Sequence, residues 1–152
     1  MGTPGIDELN AQVRGYDRLY GLELVEFSDG LVRARVQLRD EVRQPMGLLH
    51  GGVYASMAES IASLATALSV MPEGNAALGL SNNTSFMRPI TKGAVHASAT
   101  RVHRGRTTWI WDVTFSDDAG RTCALTRMTI AIRPLRSNEA PLALEDHENA
   151  AS

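Results

Sequence analysis

Hydrophobic positions along this chain follow two rhythms. From Val53 to Met71, apolar side chains recur at steps of four and three, at Val53, Met57, Ile61, Leu64 and Leu68. That spacing makes one stripe on an α-helix, which Pro72 and Gly74 bring to an end. Elsewhere the period is two. Leu31 to Leu38 alternates Val32, Ala34, Val36 and Leu38 with Arg33, Arg35 and Gln37, the signature of a strand with one buried and one wet face. Leu19 to Phe27 reads as its hairpin partner across a Ser28-Asp29-Gly30 turn. Beyond the helix come Ala77 to Met87, ending at Arg88-Pro89, and Gly93 to His103. Then follow Arg106 to Ser116, with Trp109, Trp111, Val113 and Phe115 on one face, and Arg121 to Arg133, stopped by Pro134.

Residues 2–18 form a lead-in with Ile6, Leu9 and Val13 at helical spacing, and residues 39–49 a polar connection containing Pro45 and Gly47. Residues 137–152 are rich in Glu, Asn and Ala without periodicity and are expected to be disordered. The order is thus two strands, one long helix and four strands joined by short turns. It predicts an α+β domain over residues 19–136, a central helix packed on a curled antiparallel sheet of about six strands.

At 152 residues the chain suffices for one domain with its own core. A net charge of −2 gives no reason to expect nucleic acid. The central helix is interrupted by Ser, Thr and Glu, so no apolar run is expected to span a membrane, and the first residues lack the basic and apolar regions of a signal peptide. Cys123 is the only cysteine and lies in an alternating apolar stretch. It reads as a buried core residue in a reducing compartment, and a cytoplasmic location is expected.

The polar face of the helix is where the chemistry concentrates. It carries Ser56, Glu59, Ser63 and Thr66, and from Val53 to Met71 there is no Lys, Arg or Asp. Such a helix is expected to be covered nearly all round, which leaves Glu59 as a carboxylate in need of partners or a task. A carboxylate so placed can act as a base for water or as a nucleophile on an acyl carbon, with Ser63 one turn later to orient the water. It can equally be a structural carboxylate satisfied by hydroxyls. Gly51 and Gly52 open the helix, where free N–H groups and the positive end of the dipole suit an oxyanion; they also suit a sharp bend. His50 and Glu59 are nine residues apart, roughly 13 Å along a helix, too far for an acid–base pair within one subunit. A capping role suits His50. The histidines at 50, 96, 103 and 147 show no ligand spacing, and no Walker loop, GxGxxG or GxSxG occurs, so no metal or cofactor is expected.

Gly47-Leu48-Leu49-His50-Gly51-Gly52 followed by Glu59, then Asn83 to Pro89, Gly93 to Arg106 and Gly120 to Ile132, resembles the hotdog-fold acyl-CoA thioesterases. The likeness is to the phenylacetic-acid and 4-hydroxybenzoyl-CoA thioesterase group, over roughly residues 20–136. Many relatives carry Asp where Glu59 stands; Gln44 with Glu59 is most similar to the branch that uses a helix Glu. The resemblance implies that Glu59 attacks the thioester or activates water, and that the Gly51 N–H polarises the carbonyl. Gln44 would lie near that centre, His50 would shape the loop, and Ser63 would stand where the branch has a water-placing Thr. Arg88 and Arg136, with Thr107 or Thr108 nearby, match positions that meet the phosphates of CoA.

The resemblance further implies a homodimer or homotetramer with sites at the interface, so that His50 and Glu59 can come from different chains. The Trp109–Trp111 strand and the uncharged helix face are expected to be surfaces that a lone subunit leaves exposed. The leading expectation is hydrolysis of a small acyl-CoA thioester, aromatic acyl groups included. The alternatives are a non-catalytic acyl-CoA-binding hotdog module and, less favoured, a hotdog hydratase or dehydratase.

Overall fold

The computed structural model describes residues 4–136; the expectation for residues 137–152 lies outside them. Two short helices, α1 (Ile6–Ala11) and α2 (Gly15–Tyr20), precede the hairpin of β1 (Glu23–Ser28) and β2 (Leu31–Gln37). The long helix α3 (Gly51–Val70) follows, then β3 (Asn75–Phe86), β4 (Ala94–Arg104), β5 (Thr108–Ser116) and β6 (Thr122–Pro134). The six strands form one sheet in the order β1-β2-β4-β5-β6-β3, and all its pairings are antiparallel. It curls so that β2, β3, β4, β5 and β6 all touch α3. This is the helix-in-sheet arrangement of the hotdog fold.

The first strand differs most from the sequence reading. Leu19 and Tyr20 end α2 rather than begin a strand, because Gly21, at φ +82°, closes that helix in the left-handed conformation. Leu19 is consequently exposed, whereas Tyr20 is buried. The strand starts at Glu23, and a bulge between Leu24 and Glu26 leaves Val25 exposed. Asn10 pins α1 to it, its side chain bonding both the N–H and the C=O of Leu24 at 2.8 Å.

The core lies between α3 and the sheet. Met57, Ala58, Ile61 and Ala62 are fully enclosed, facing Trp111, Phe115, Met128 and Ile130 from the strands. Cys123 is likewise buried, its thiol bonded to the Arg121 carbonyl, and burial first of all pushes that thiol's pKa up. The two tryptophans correct an expectation: Trp109 and Trp111 are 2% and 0% exposed within a single chain, so neither forms an open surface. Thr66 also moves from the polar face to the core, donating to the Ala62 carbonyl at 2.8 Å and accepting from Trp111 Nε1 at 3.0 Å. Only Gly52 is exposed along the whole of α3.

By length and hydropathy (1.3), the stretch Gly51–Glu73 is apolar enough to cross a membrane, contrary to the sequence expectation. Here that apolarity serves enclosure by the sheet. Its Ser and Thr residues lower its hydropathy too little to matter, and Glu59 and Glu73 are its only charges.

Candidate active site

A tight loop delivers the chain to α3. Arg43 bridges Leu49, Gln44 N–H bonds the Leu48 carbonyl at 2.8 Å, and Gly47 turns at φ +83°. Arg43 then binds the Gly47 and Thr91 carbonyls, while Leu49 and His50 donate to Ile90 and Val42 at 2.9 Å. The Ile90 and Thr91 links tie the loop to the segment after β3, and the others close it on itself. The Gln44 side-chain oxygen accepts from the Met46 N–H, leaving its amide nitrogen for other partners.

His50 is the N-cap of α3, with extended backbone at φ −64°, ψ 133°. Its Nδ1 accepts the Gly52 N–H at 2.8 Å, which places the ring proton on Nε2. Val53 N–H bonds the His50 carbonyl at 3.0 Å. Among the described residues the Gly51 N–H has no acceptor, so one donor remains free at the positive end of a twenty-residue helix. The two glycines serve different purposes. A Cβ at Gly51 would lie 3.1 Å from the Phe86 ring, and one at Gly52 would lie 3.0 Å from His50 Nδ1. The first allows the ring to cover the backbone, and the second allows the cap.

Gln44, Leu48, Gly51, Tyr54, Phe86 and Arg88 line an apolar cleft of about 370 Å³ in front of that donor. Tyr54 stacks edge-on against Phe86 and Phe115. Burial, with a smaller contribution from nearby Cys123, pushes its phenol up to about 12, so it stays neutral. Arg88 is exposed at the rim, its backbone held by the Cys123 carbonyl at 3.0 Å.

Glu59 is half-buried, two turns further along α3 and outside this cleft. Ser63 Oγ donates to its Oε1 at 3.3 Å, and its carboxylate rests against Gly79 of β3. On the other side of the same strip, α2 is fastened down. Asp17 accepts from Ser60 and from the Tyr20 hydroxyl, and Tyr16 bonds Ser56 at 2.9 Å. Burial above all drives the Tyr20 phenol far above its ordinary value. The strip of Gly52, Ser56, Glu59 and Ser63 is therefore flanked by α2 and by the β3 edge.

The expected site residues thus fall into three groups. Gln44, His50, Gly51 and Arg88 are gathered at one end of the sheet, Glu59 and Ser63 at its middle. Arg136, Thr107 and Thr108 stand at the opposite end: Phe86 pairs with Ala124 but Asn75 pairs with Pro134, and Thr107 accepts the Ile132 N–H at 2.9 Å. A twelve-residue strand separates the two ends by roughly 40 Å. Sequence reasoning missed Tyr54, Phe86 and Gly79. Phe86 and Gly79 sit on β3, whose inward positions a bulge at Leu80 resets, so simple alternation did not reveal them. Among the described residues no group of three His, Cys, Asp or Glu gathers as for a metal.

Residues 46–124 match the Thioesterase superfamily. Over 134 residues the chain is 37% identical to the thioesterase PA1618 of Pseudomonas aeruginosa, covering 88% of this chain and 92% of that one. A crystal structure of that thioesterase with a glutamine-to-alanine substitution aligns at a TM-score of 0.83, with 36% identity over 88% and 97% of the two chains. A 1,4-dihydroxy-2-naphthoyl-CoA hydrolase from Listeria monocytogenes is 31% identical over 122 residues, 80% of this chain and 98% of its own. SAV0944 of Staphylococcus aureus has been solved with a glutamate-to-alanine substitution (TM-score 0.76, 31% identity, 80% and 100% covered). It has also been solved with a glutamine-to-alanine substitution fifteen positions earlier (0.74, 30%, 78% and 98%). Sequence and fold agree over most of the chain, which belongs to the Thioesterase superfamily and is a thioester hydrolase with the hotdog fold.

Proposed function

We propose that this enzyme hydrolyses a small acyl-CoA thioester, aromatic acyl groups included, to the free acid and CoA. The observation that carries the reading is the Gly51 N–H. The His50 cap satisfies its neighbour and leaves this one donor open to an apolar cleft bordered by Gln44 and Arg88. A thioester carbonyl seated there is polarised as it gains negative charge in the transition state. Glu59 either attacks the carbonyl carbon or takes a proton from the water that does. In both cases the carbon–sulfur bond breaks, water supplies the new carboxyl oxygen, and the CoA sulfur leaves with a proton. Ser63 steadies the carboxylate. The fifteen-residue spacing of Gln44 and Glu59 equals that of the two residues substituted in SAV0944, which supports assigning both to one site.

Gly51 and Glu59 are eight residues apart on α3, about 12 Å, so one chain does not bring them to one carbon. A second copy resolves this. β3 is an edge strand twelve residues long, with Leu80 64% and Phe86 59% exposed, and Met87 just past its end is 53% exposed. An edge of this length is normally covered. Two copies paired antiparallel along β3 bring the Gly51 and Arg88 end of one chain toward the Arg136, Thr107 and Thr108 end of the other. The site then takes Glu59 from one protomer and Gly51 from its partner, in a homodimer or homotetramer, with arginines from both on the CoA phosphates. A reducing cytoplasm suits both the lone Cys123 and a CoA substrate.

Release of free thiol from a panel of acyl-CoA thioesters tests the reading, with turnover expected on short or aromatic acyl groups. Binding without thiol release points to a non-catalytic module. A new hydroxyl on an intact thioester points to a hydratase. Either result overturns the proposal.

A further inference from the structure

The Glu59 carboxylate lies against Gly79 of β3. That strand turns Ala77 toward the core, and the bulge at Leu80 then resets its alternation. Past the bulge, Asn82 donates to the Ala55 carbonyl at 2.9 Å, Thr84 bonds buried Thr126 at 2.8 Å, and Phe86 meets Tyr54. Between these inward positions stands Gly79, paired with Ile130 in the strand and facing Glu59. A Cβ at Gly79 would overlap Oε1 and stand 3.1 Å from Cδ and 3.2 Å from Oε2, so it would meet all three carboxyl atoms.

The reason for glycine here is room. Its φ is not among the positive values that several other glycines adopt, so any residue could hold this backbone. Nor is the space a packing accident at a loose end. Ser63 binds the same Oε1 from the helix side at 3.3 Å, so the carboxylate lies between a hydroxyl of its own helix and a bare stretch of strand. Filling that space with a methyl would drive the carboxylate off by about 1 Å, and a shift of that size at a reacting group costs on the order of 10²-fold in rate. An acid one methylene shorter would not reach the methyl.

We infer that Gly79, set by the neighbouring bulge, is the positioning residue for the reacting carboxylate, and that helix acid and strand residue are matched in size. The inference rests on the reading of Glu59 as the group that attacks the thioester or activates water. Gly79→Ala is expected to lower kcat about 100-fold while KM stays within about 3-fold. In a Glu59→Asp background the same change is expected to cost less than about 3-fold, a rescue that a general weakening of β3 would not produce.

Equal penalties in the two backgrounds, or near-wild-type kcat for Gly79→Ala, would overturn the inference. Should Gly79→Ala alone fail to fold, the double variant carries the test. Turnover within about 3-fold of Glu59→Asp supports the size match, and a further loss of about 10-fold or more removes it. Glu59→Gln decides the underlying reading separately, since near-wild-type turnover in that variant removes the catalytic assignment itself.

Discussion

The side of α3 turned into the sheet and the side turned toward α2 and the β3 edge are built from different materials. The inner side is Met57, Ala58, Ile61 and Ala62, none with measurable exposure, and its one polar group, Thr66, is satisfied as both donor and acceptor. The outer side is Gly52, Ser56, Glu59, Ser60 and Ser63, held by Tyr16 and Asp17 on one flank and resting on Gly79 on the other. Contacts on the inner side are many and similar, so each contributes a share of stability and none decides the chemistry. On the outer side a single carboxylate sits among small hydroxyls. Damage there should appear in rate, and damage inside should appear in stability.

The largest expected effect breaks the outer side alone. Glu59→Gln keeps the size and most hydrogen bonds but removes the charge and the basic oxygen. It is expected to lower kcat by roughly 10²–10⁴-fold, with KM and the unfolding midpoint little changed. Steady-state kinetics beside urea denaturation separate the two readouts. Near-wild-type turnover in the folded variant would leave Glu59 a structural carboxylate. Ile61→Ala is the converse experiment. Removing a fully enclosed side chain should cost about 2–5 kcal/mol of stability, while kcat per folded molecule stays within about 3-fold. A loss of rate without a loss of stability would mean that the two sides are not separate.

This division explains what could be read from the chain. The helix announced itself through Val53, Met57 and Ile61, and the outer strip through its lack of charge, because both are local patterns at a fixed period. Leu64 and Leu68, placed on the same stripe, are only half-buried. Ala58, Ala62 and Ala65 are deeper because small side chains let the sheet approach there. Thr66 was misplaced for a related reason. Its hydroxyl reads as polar in sequence, and only the indole of Trp111, 45 residues away, makes it a core residue. Gly79 and Phe86 stayed hidden because a bulge breaks the period of two. Gly51 and His50 were legible through the glycine pair. Which N–H remained free was not, since that depended on the His50 ring turning back onto Gly52.

Smaller effects are expected at the two ends of the sheet, where Arg88 and Arg136 are both exposed. If both meet CoA phosphates, Arg88→Ala and Arg136→Ala should each weaken binding by about 1.5–3 kcal/mol, seen as KM rising more than kcat falls. A truncated pantetheine thioester, which lacks the nucleotide, should show no such penalty. Equal penalties on both substrates would detach these arginines from the nucleotide end. A penalty at Arg88 alone would mean that the far end of the sheet does not belong to the site.

The smallest effect sharpens the comparison through pH. Three carboxyls far from the outer strip are held below their ordinary range by arginines. Asp112 is lowered chiefly by the hydrogen bonds of Arg127, Asp29 by that of Arg101, and Asp117 by the backbone and then the side chain of Arg121. All three pKa values are lower in the folded chain than in the unfolded one. Their contribution is therefore fully present above the unfolded carboxyl value of about 4 and is lost as pH falls through the folded values. Asp112 and its partner are largely solvated, so the contribution is modest. As far as these groups set it, the urea midpoint should stay level from pH 7 to about 5 and decline only below about 4. Turnover lost between pH 7 and 5 would then arise with the frame intact. A midpoint that fell in step with turnover over that interval would show instead that loss of the frame accounts for the loss of turnover.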